Sequence, residues 1–330
     1  MPLSSALAIG GGEGPPGSSI SGASVRRGDK VFRGVSRGAG IFVLLLMALI
    51  GAFLIWKAIP SLTTNSANFF TEQQWLPDQT PPVFGIAVLA FGTLVTAVIA
   101  MVLAVPVGYG IALFIAYYAH RRVAAVLAFV VDLLAAVPSI IFGLWGLQFL
   151  MPNMEGLMAW LATYFGWIPL FANDQQLYTK SIMIAGVVLA IMILPTVSAL
   201  SREVFVQVPR THVEASLALG ATRWEMVRMA VVPFSKPGMI SAAMLGLGRA
   251  LGETIAVALI LSAVFDINWH ITEPGGNSFA ANIALKWGEA QENGRSALIA
   301  SGLVLFLITL LVNMAARAII ARRKEFSGAN

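Results

Sequence analysis

An all-α protein that crosses a membrane six times is the fold class the sequence predicts, and three observations predict it. Hydrophobic residues make up 58% of the chain and charged residues 11%, with a mean hydropathy of +0.81, against roughly one-quarter charged residues in a soluble domain. Windows long enough to cross a bilayer as helix, about 20 mainly apolar residues each, lie near 41–59, 84–118, 123–150, 180–201, 238–265 and 296–317. Lys and Arg then fall mostly on one side of this threading.

Residues 1–38 are rich in Gly, Ser, Pro and Arg and have too few large apolar side chains for a core, so they read as a disordered cytoplasmic tail. The first apolar run follows charges, as a signal peptide does. It is longer than a signal core and no small-residue cleavage site stands out, so it reads as an uncleaved first helix. The second window is too long for one upright span at about 1.5 Å per residue, and Pro106 inside it permits a kink or an early exit. The six spans make a transmembrane domain over 39–320, followed by a short cytoplasmic tail, 321–330.

Cytoplasmic loops hold the excess of basic residues. One side takes Arg26, Arg27, Lys30, Arg33 and Arg37, then Arg121 and Arg122, then Arg202, Arg210, Arg223, Arg228 and Lys236, and finally Arg317, Arg322, Arg323 and Lys324, which is 16 of 21. The other side has only Lys57, Lys180, Lys286 and Arg295, and Arg249 falls within a span. Both termini therefore face the cytoplasm, in agreement with an even number of spans. The pI near 9.7 follows from topology and implies no nucleic-acid partner. The external loops, about 61–82, 151–179 and 266–294, carry Trp75, Trp160 and Trp167 among prolines, which suggests interfacial anchors and irregular caps rather than a folded domain.

The passage from Arg210 to Pro237 is the most organised polar stretch. Thr211 stands three before Glu214 and Thr222 three before Glu225, which spells two capping boxes, each starting a short helix. Gly220 between them suits a left-handed C-cap. Within the membrane, Arg249 and Glu253 are four apart, so one helix face carries both and each partly neutralises the other. A structural ion pair is the simpler role. A charge at the centre of a span costs about 2.5–3.5 kcal/mol on insertion scales, which favours residues lining a pathway. Gly248 and Gly252 form a small-x-x-x-small ridge that lets a neighbouring helix approach. Asp132 suits a site near the cytoplasmic interface, paired with a basic residue there, better than a substrate contact. Pro138 and Ser139 mark a kink that borders a path if its freed carbonyl is satisfied by a neighbour or a water-lined cavity.

No enzyme signature is present. The chain has no cysteine, which excludes disulfides and thiol chemistry. His120, His212 and His270 lie in different loops without metal-type spacing, so no metal site is expected. There is no phosphate-cradling Gly-x-x-x-x-Gly-Lys-Ser/Thr run, so any ATP dependence comes from a partner.

Glu214-Ala215-Ser216, three residues, Gly220, nine residues, then Ala230 to Pro233 resembles the EAA loop of ABC importer permeases, Glu-Ala-Ala, x3, Gly, x9, Ile-x-Leu-Pro. Ser216, Ala230 and Val232 depart from it conservatively. The longer strings Glu214–Glu225 and Val137–Leu144 look like the phosphate-specific permeases, and Gly246–Thr254 is similar to the PstC subunits of that family rather than to their PstA partners. The resemblance covers roughly residues 40–320. It implies a type I (MetI-like) permease fold without catalytic residues of its own, importing inorganic phosphate beside a PstA-like second permease. A PstB-like ATPase dimer holding ATP and Mg would lie beneath, and a PstS-like phosphate-binding protein outside. It also implies that His212–Leu219 is the coupling helix, with Glu214, Ala215, Ser216, Gly220 and Pro233 in the ATPase-coupling loop 202–237. Arg249 would then lower the barrier for the anion, while Glu253 would limit how tightly it is held. An ABC permease for another oxyanion or small nutrient, an ATP-independent transporter or channel, and a phosphate-sensing scaffold stay open as alternatives.

Overall fold

The computed structural model describes residues 27–324, and most of them are helical. The chain divides into two units, residues 1–50 and 51–330. The described part of the first is the beginning of α1 (Arg27–Thr64), whose side chains from Val31 to Ile50 are exposed. Arg27–Gly38, part of the tail expected over 1–38, is helix continuous with the apolar run that follows. Residues 1–26, and 325–330 of the expected C-terminal tail, lie outside the described residues.

The second unit begins with the end of α1 and a two-stranded antiparallel hairpin, β1 (Trp75–Leu76) with β2 (Val83–Phe84), in which Trp75 faces Phe84. Then follow α2 (Ala87–Leu113), α3 (Arg121–Ala135), α4 (Ser139–Trp145), α5 (Met151–Phe165), α6 (Ile182–Val206), α7 (Arg210–Ala218), α8 (Arg223–Met226), α9 (Val232–Leu251), α10 (Ile255–Ile260), α11 (Phe279–Lys286) and α12 (Glu292–Lys324). Five helices are long and apolar enough to cross a membrane, and α3 with the segment Ser139–Phe165 makes a sixth, bent by 90°. This matches the six expected spans.

The core is built around α6. Its buried residues include Ile184, Met192, Ile193, Val197 and Phe205. On one side α2 offers Ala97, Ala100, Ala104 and Gly108, one small residue per turn. On another, α9 offers Ala242, Gly246 and Ala250. Small residues let helix backbones approach where lipid supplies no hydrophobic drive. A Cβ on Gly246 would lie 2.7 Å from Val197 Cγ2, and one on Gly186 of α6 would lie 2.6 Å from Ile99 Cγ2.

Two expectations about the external loops change. Trp75 is not an interfacial anchor: it is 8% exposed and packs with Phe84, Leu89, Phe279 and Leu298, with its ring stacked on Phe265 at 6.2 Å. The loop expected over 151–179 begins as helix α5, because Met154 and Met158, four apart, bury one face in the core. The loop expected over 266–294 likewise contains α11. Asp78, at the hairpin tip, accepts hydrogen bonds from Gly294 N (2.6 Å) and Gln291 N (3.0 Å), capping α12.

Candidate functional site

The span Arg223–Leu251 stops at a break in the chain. Helix α9 ends at Leu251, Gly252 is its C-cap, and Glu253 and Thr254 connect it to α10. Arg249 lies in the last turn of α9, where the negative end of the helix dipole favours a cation. Its Nη1 donates to Thr196 Oγ1 of α6 at 3.0 Å. Among the described residues no carboxylate lies within ion-pair distance of it.

Glu253 does not share a helix face with Arg249, contrary to the spacing argument. The helix ends between them, and Glu253 Oε1 instead accepts from Ala256 N at 3.2 Å, satisfying a free amide in the first turn of α10. The ridge of Gly248 and Gly252 also differs from expectation. Among the described residues no other helix comes within 4 Å of a Cβ built on either residue, and the glycine of α9 that meets α6 closely is Gly246.

A second break faces this region. Helix α3 ends at Ala135, and Pro138 caps α4 with extended backbone, φ −58° and ψ 137°, because proline fixes φ and cannot donate to the preceding turn. Pro138 and Ser139 thus stand at the kink the sequence predicts. Past the break, α4 packs on α10: a Cβ on Gly143 would lie 2.7 Å from Ala256 Cα. The two half-helices that follow the two breaks are therefore in contact. Asp132, one turn before the break, pairs with Arg202 near the end of α6, Oδ2 to Nη2 3.6 Å. It is held by a basic residue, as expected, and is separate from Arg249.

The polar loop forms a second feature. Val206 ends α6, and the link of three residues through Pro209 leads into α7. Thr211 is not a cap. Helix α7 starts at Arg210 behind Pro209, which places Thr211 inside the first turn, and no side chain caps the helix. The second box does form: Thr222 Oγ1 accepts from Glu225 N (3.3 Å) and Glu225 Oε2 accepts from Thr222 N (2.8 Å).

Between the two helices Gly220 has φ +85°. Its N–H donates to Leu217 O (3.0 Å) and that of Ala221 to Ser216 O (3.2 Å), the bond pair of a Schellman termination. Glu214 and Ala215 are exposed on α7 and Ser216 half-buried, the last with its Oγ on Val213 O at 2.7 Å. Val213 packs on a cluster of Ala112, Phe205, Val208, Met226 and Val231, so α7 is seated on the bundle by one face. Leu219 (89% exposed) and Trp224 (63% exposed) protrude. Pro233 stands in the first turn of α9, just after a π-helical turn, Val227–Val231; prolines at 233 and 237 lack the N–H that a regular ladder needs.

The structure also assembles a cluster that spacing did not reveal. Asp174, His270 and Glu273 place their ligand atoms within 4.8 Å of one another, brought together by packing of two loops almost 100 residues apart. Glu273 is 5% exposed. Its Oε1 accepts from Asp174 N at 2.8 Å, its Oε2 from the Asn268 side-chain amide, and His270 Nδ1 lies 3.5 Å away. Burial raises the Glu273 pKa, but the hydrogen bonds from Asn268 and Asp174, with His270 nearby, outweigh it and hold the carboxyl below the usual glutamate value. With its oxygens engaged by N–H donors, Glu273 is a clasp between the loops.

Residues 108–325 match the family described as binding-protein-dependent transport system inner membrane component. A phosphate transport system permease protein, PstC 2, of Mycobacterium tuberculosis is 47% identical over 89% of this chain and 92% of that one. PstC of Xylella fastidiosa is 38% identical over 91% and 93%. Among solved structures, a chain from a bacterial ABC transporter involved in importing the acidic polysaccharide alginate has a TM-score of 0.52 at 16% identity, over 89% of this chain and 99% of that one. That is a likeness of fold.

Proposed function

Because this chain belongs to the family of binding-protein-dependent transport system inner membrane components, and within it to the PstC group of permeases, we propose that it forms half of a pathway importing inorganic phosphate. Both termini face the cytoplasm, where 16 of the 21 Lys and Arg residues would lie. The other half is a PstA-like permease, the drive a PstB-like ATPase dimer that binds ATP and Mg, and the delivery a PstS-like protein outside. The exposed Gly248–Gly252 face at the end of α9, which no other helix among the described residues covers, suits the second permease.

The observation that carries the reading is Arg249 in the last turn of a span, hydrogen-bonded to a neutral hydroxyl rather than neutralised by an acid among the described residues. Phosphate carries one to two negative charges near neutral pH, and moving it into a low-dielectric region is prohibitive without compensation. An uncompensated guanidinium supplies the cation. Glu253, occupied at the start of α10, limits the positive potential around the path, so that the anion is passed on rather than trapped. Asp132 with Arg202, and the kink at Pro138 and Ser139, shape the neighbouring wall.

Coupling runs through α7. The helix is exposed, ends at Gly220 and carries protruding Leu219 beside it, features that suit a groove on an ATPase. Closure of the ATPase pair would shift α7 and rock the spans between outward and inward openings. Uptake of labelled phosphate by the reconstituted complex tests the proposal: it should need external binding protein and internal ATP, and uptake that persists with a hydrolysis-dead ATPase would refute it.

A further inference from the structure

A cleft of about 900 Å³ opens between the last turns of α1 and the first turns of α12, with Phe53, Lys57, Trp287, Glu292, Arg295 and Ile299 in its walls. Its floor is fixed. Ser296 Oγ donates to Lys57 O at 2.6 Å and accepts from Ser61 N at 3.2 Å. Neither Lys57 nor Arg295 makes an ion pair among the described residues; the Lys57 ammonium lies over the Trp56 ring, 5.0 Å from its centre.

The depth of these cations follows from α12. No charge occurs between Arg295 and Arg317, a stretch that rises about 33 Å as helix, close to the roughly 30 Å of hydrocarbon in a bilayer. Arg295 therefore stands at the level of the lipid headgroups, and Lys57 stands with it through Ser296. Trp56 and Trp287, both exposed, are the aromatic residues expected at that level. One turn deeper along each helix come Phe53 and Ile299, so cationic groups sit at headgroup depth above an apolar wall.

We propose that this cleft is a site for an anionic phospholipid, with the phosphate between Lys57 and Arg295 and an acyl chain along Phe53 and Ile299. Two unpaired cations attract the headgroup, and the apolar wall distinguishes a lipid from a free anion. Glu292, nearly one turn outward from Arg295, weakens the attraction. The site is separate from Arg249 and independent of what the protein transports.

Native mass spectrometry of the full chain, purified in mixed phosphatidylglycerol and phosphatidylcholine, tests it. Wild-type protein should retain phosphatidylglycerol in preference, and millimolar inorganic phosphate should leave it bound. The double variant Lys57→Gln/Arg295→Gln should lose at least about tenfold of that preference, given the attraction of each basic group for an anionic surface, while unfolding at the wild-type temperature in phosphatidylcholine alone. Glu292→Gln should raise the preference. Equal retention of the two lipids, a preference unchanged in the double variant, lowered preference in Glu292→Gln, or displacement of the lipid by inorganic phosphate would overturn the proposal.

Discussion

Arg249 Nη1 donates to Thr196 Oγ1 across 3.0 Å, joining the last turn of α9 to α6 one residue past Pro195. The partner is neutral, so the guanidinium keeps its charge for something else. Arg249→Gln keeps a donor for Thr196 and removes the charge. Phosphate uptake by the reconstituted complex should fall at least about tenfold, which is about 1.4 kcal/mol in the barrier, with assembly and basal ATPase activity intact. Uptake at the wild-type rate would refute the role given to the charge.

Gly220 separates backbone from side-chain effects. Its φ is +85°, and an added Cβ would meet nothing within 4 Å, so any loss on substitution comes from conformation alone. A β-branched residue in that region is strained by about 1–2 kcal/mol. Gly220→Val should lower phosphate imported per ATP hydrolysed, Gly220→Asn should be close to wild type, and transport-to-hydrolysis ratios check both.

Glu273 makes the clasp between the two loops acid-sensitive. Its folded pKa lies below the unfolded value, so its stabilising contribution is fully present above the ordinary glutamate value, about 4.3, and is lost as pH falls through the depressed folded value. His270 and Asp174 are the titratable neighbours. Hydrogen exchange of the Asp174 amide, which donates to Glu273 Oε1, corrected for intrinsic rates, should accelerate as the pH is lowered below that range. In Glu273→Gln the acceleration should be absent and protection weaker at neutral pH.

Gly246 and Gly248 are two residues apart and should behave oppositely. A methyl at Gly246 meets Val197 Cγ2 at 2.7 Å, whereas one at Gly248 meets nothing. Gly246→Ala should destabilise the isolated chain by about 1–3 kcal/mol, as overpacking does, with a lower unfolding temperature in detergent. Gly248→Leu should leave that temperature unchanged and weaken co-purification with the second permease.

Features set by local chemistry were legible in the sequence. Six apolar windows became six spans, Pro138 a break, Gly220 a left-handed cap, and Thr222 with Glu225 a closed capping box. Features decided by competition were not. Thr211 and Glu214 have the same spacing as the formed box, but Pro209 starts the helix two residues too early. Arg249 and Glu253 have the spacing of a helical pair, but the helix ends at Gly252 and the carboxylate caps α10. Trp75 reads as an interfacial residue until the hairpin folds it onto Phe265, a contact 190 residues away. Asp174, His270 and Glu273 share no periodicity because two loops supply them.

The short link after α6 has a mechanical consequence. Three residues join Val206 to Arg210, Val208 among them is 5% exposed, and Phe205 O is held by Tyr117 OH at 2.8 Å. There is no slack between α7 and α6. On the proposed coupling, a displacement of α7 would pass into α6 with little damping, and because α2 and α9 hold α6 through small, closely packed residues, the three helices would turn as one gear.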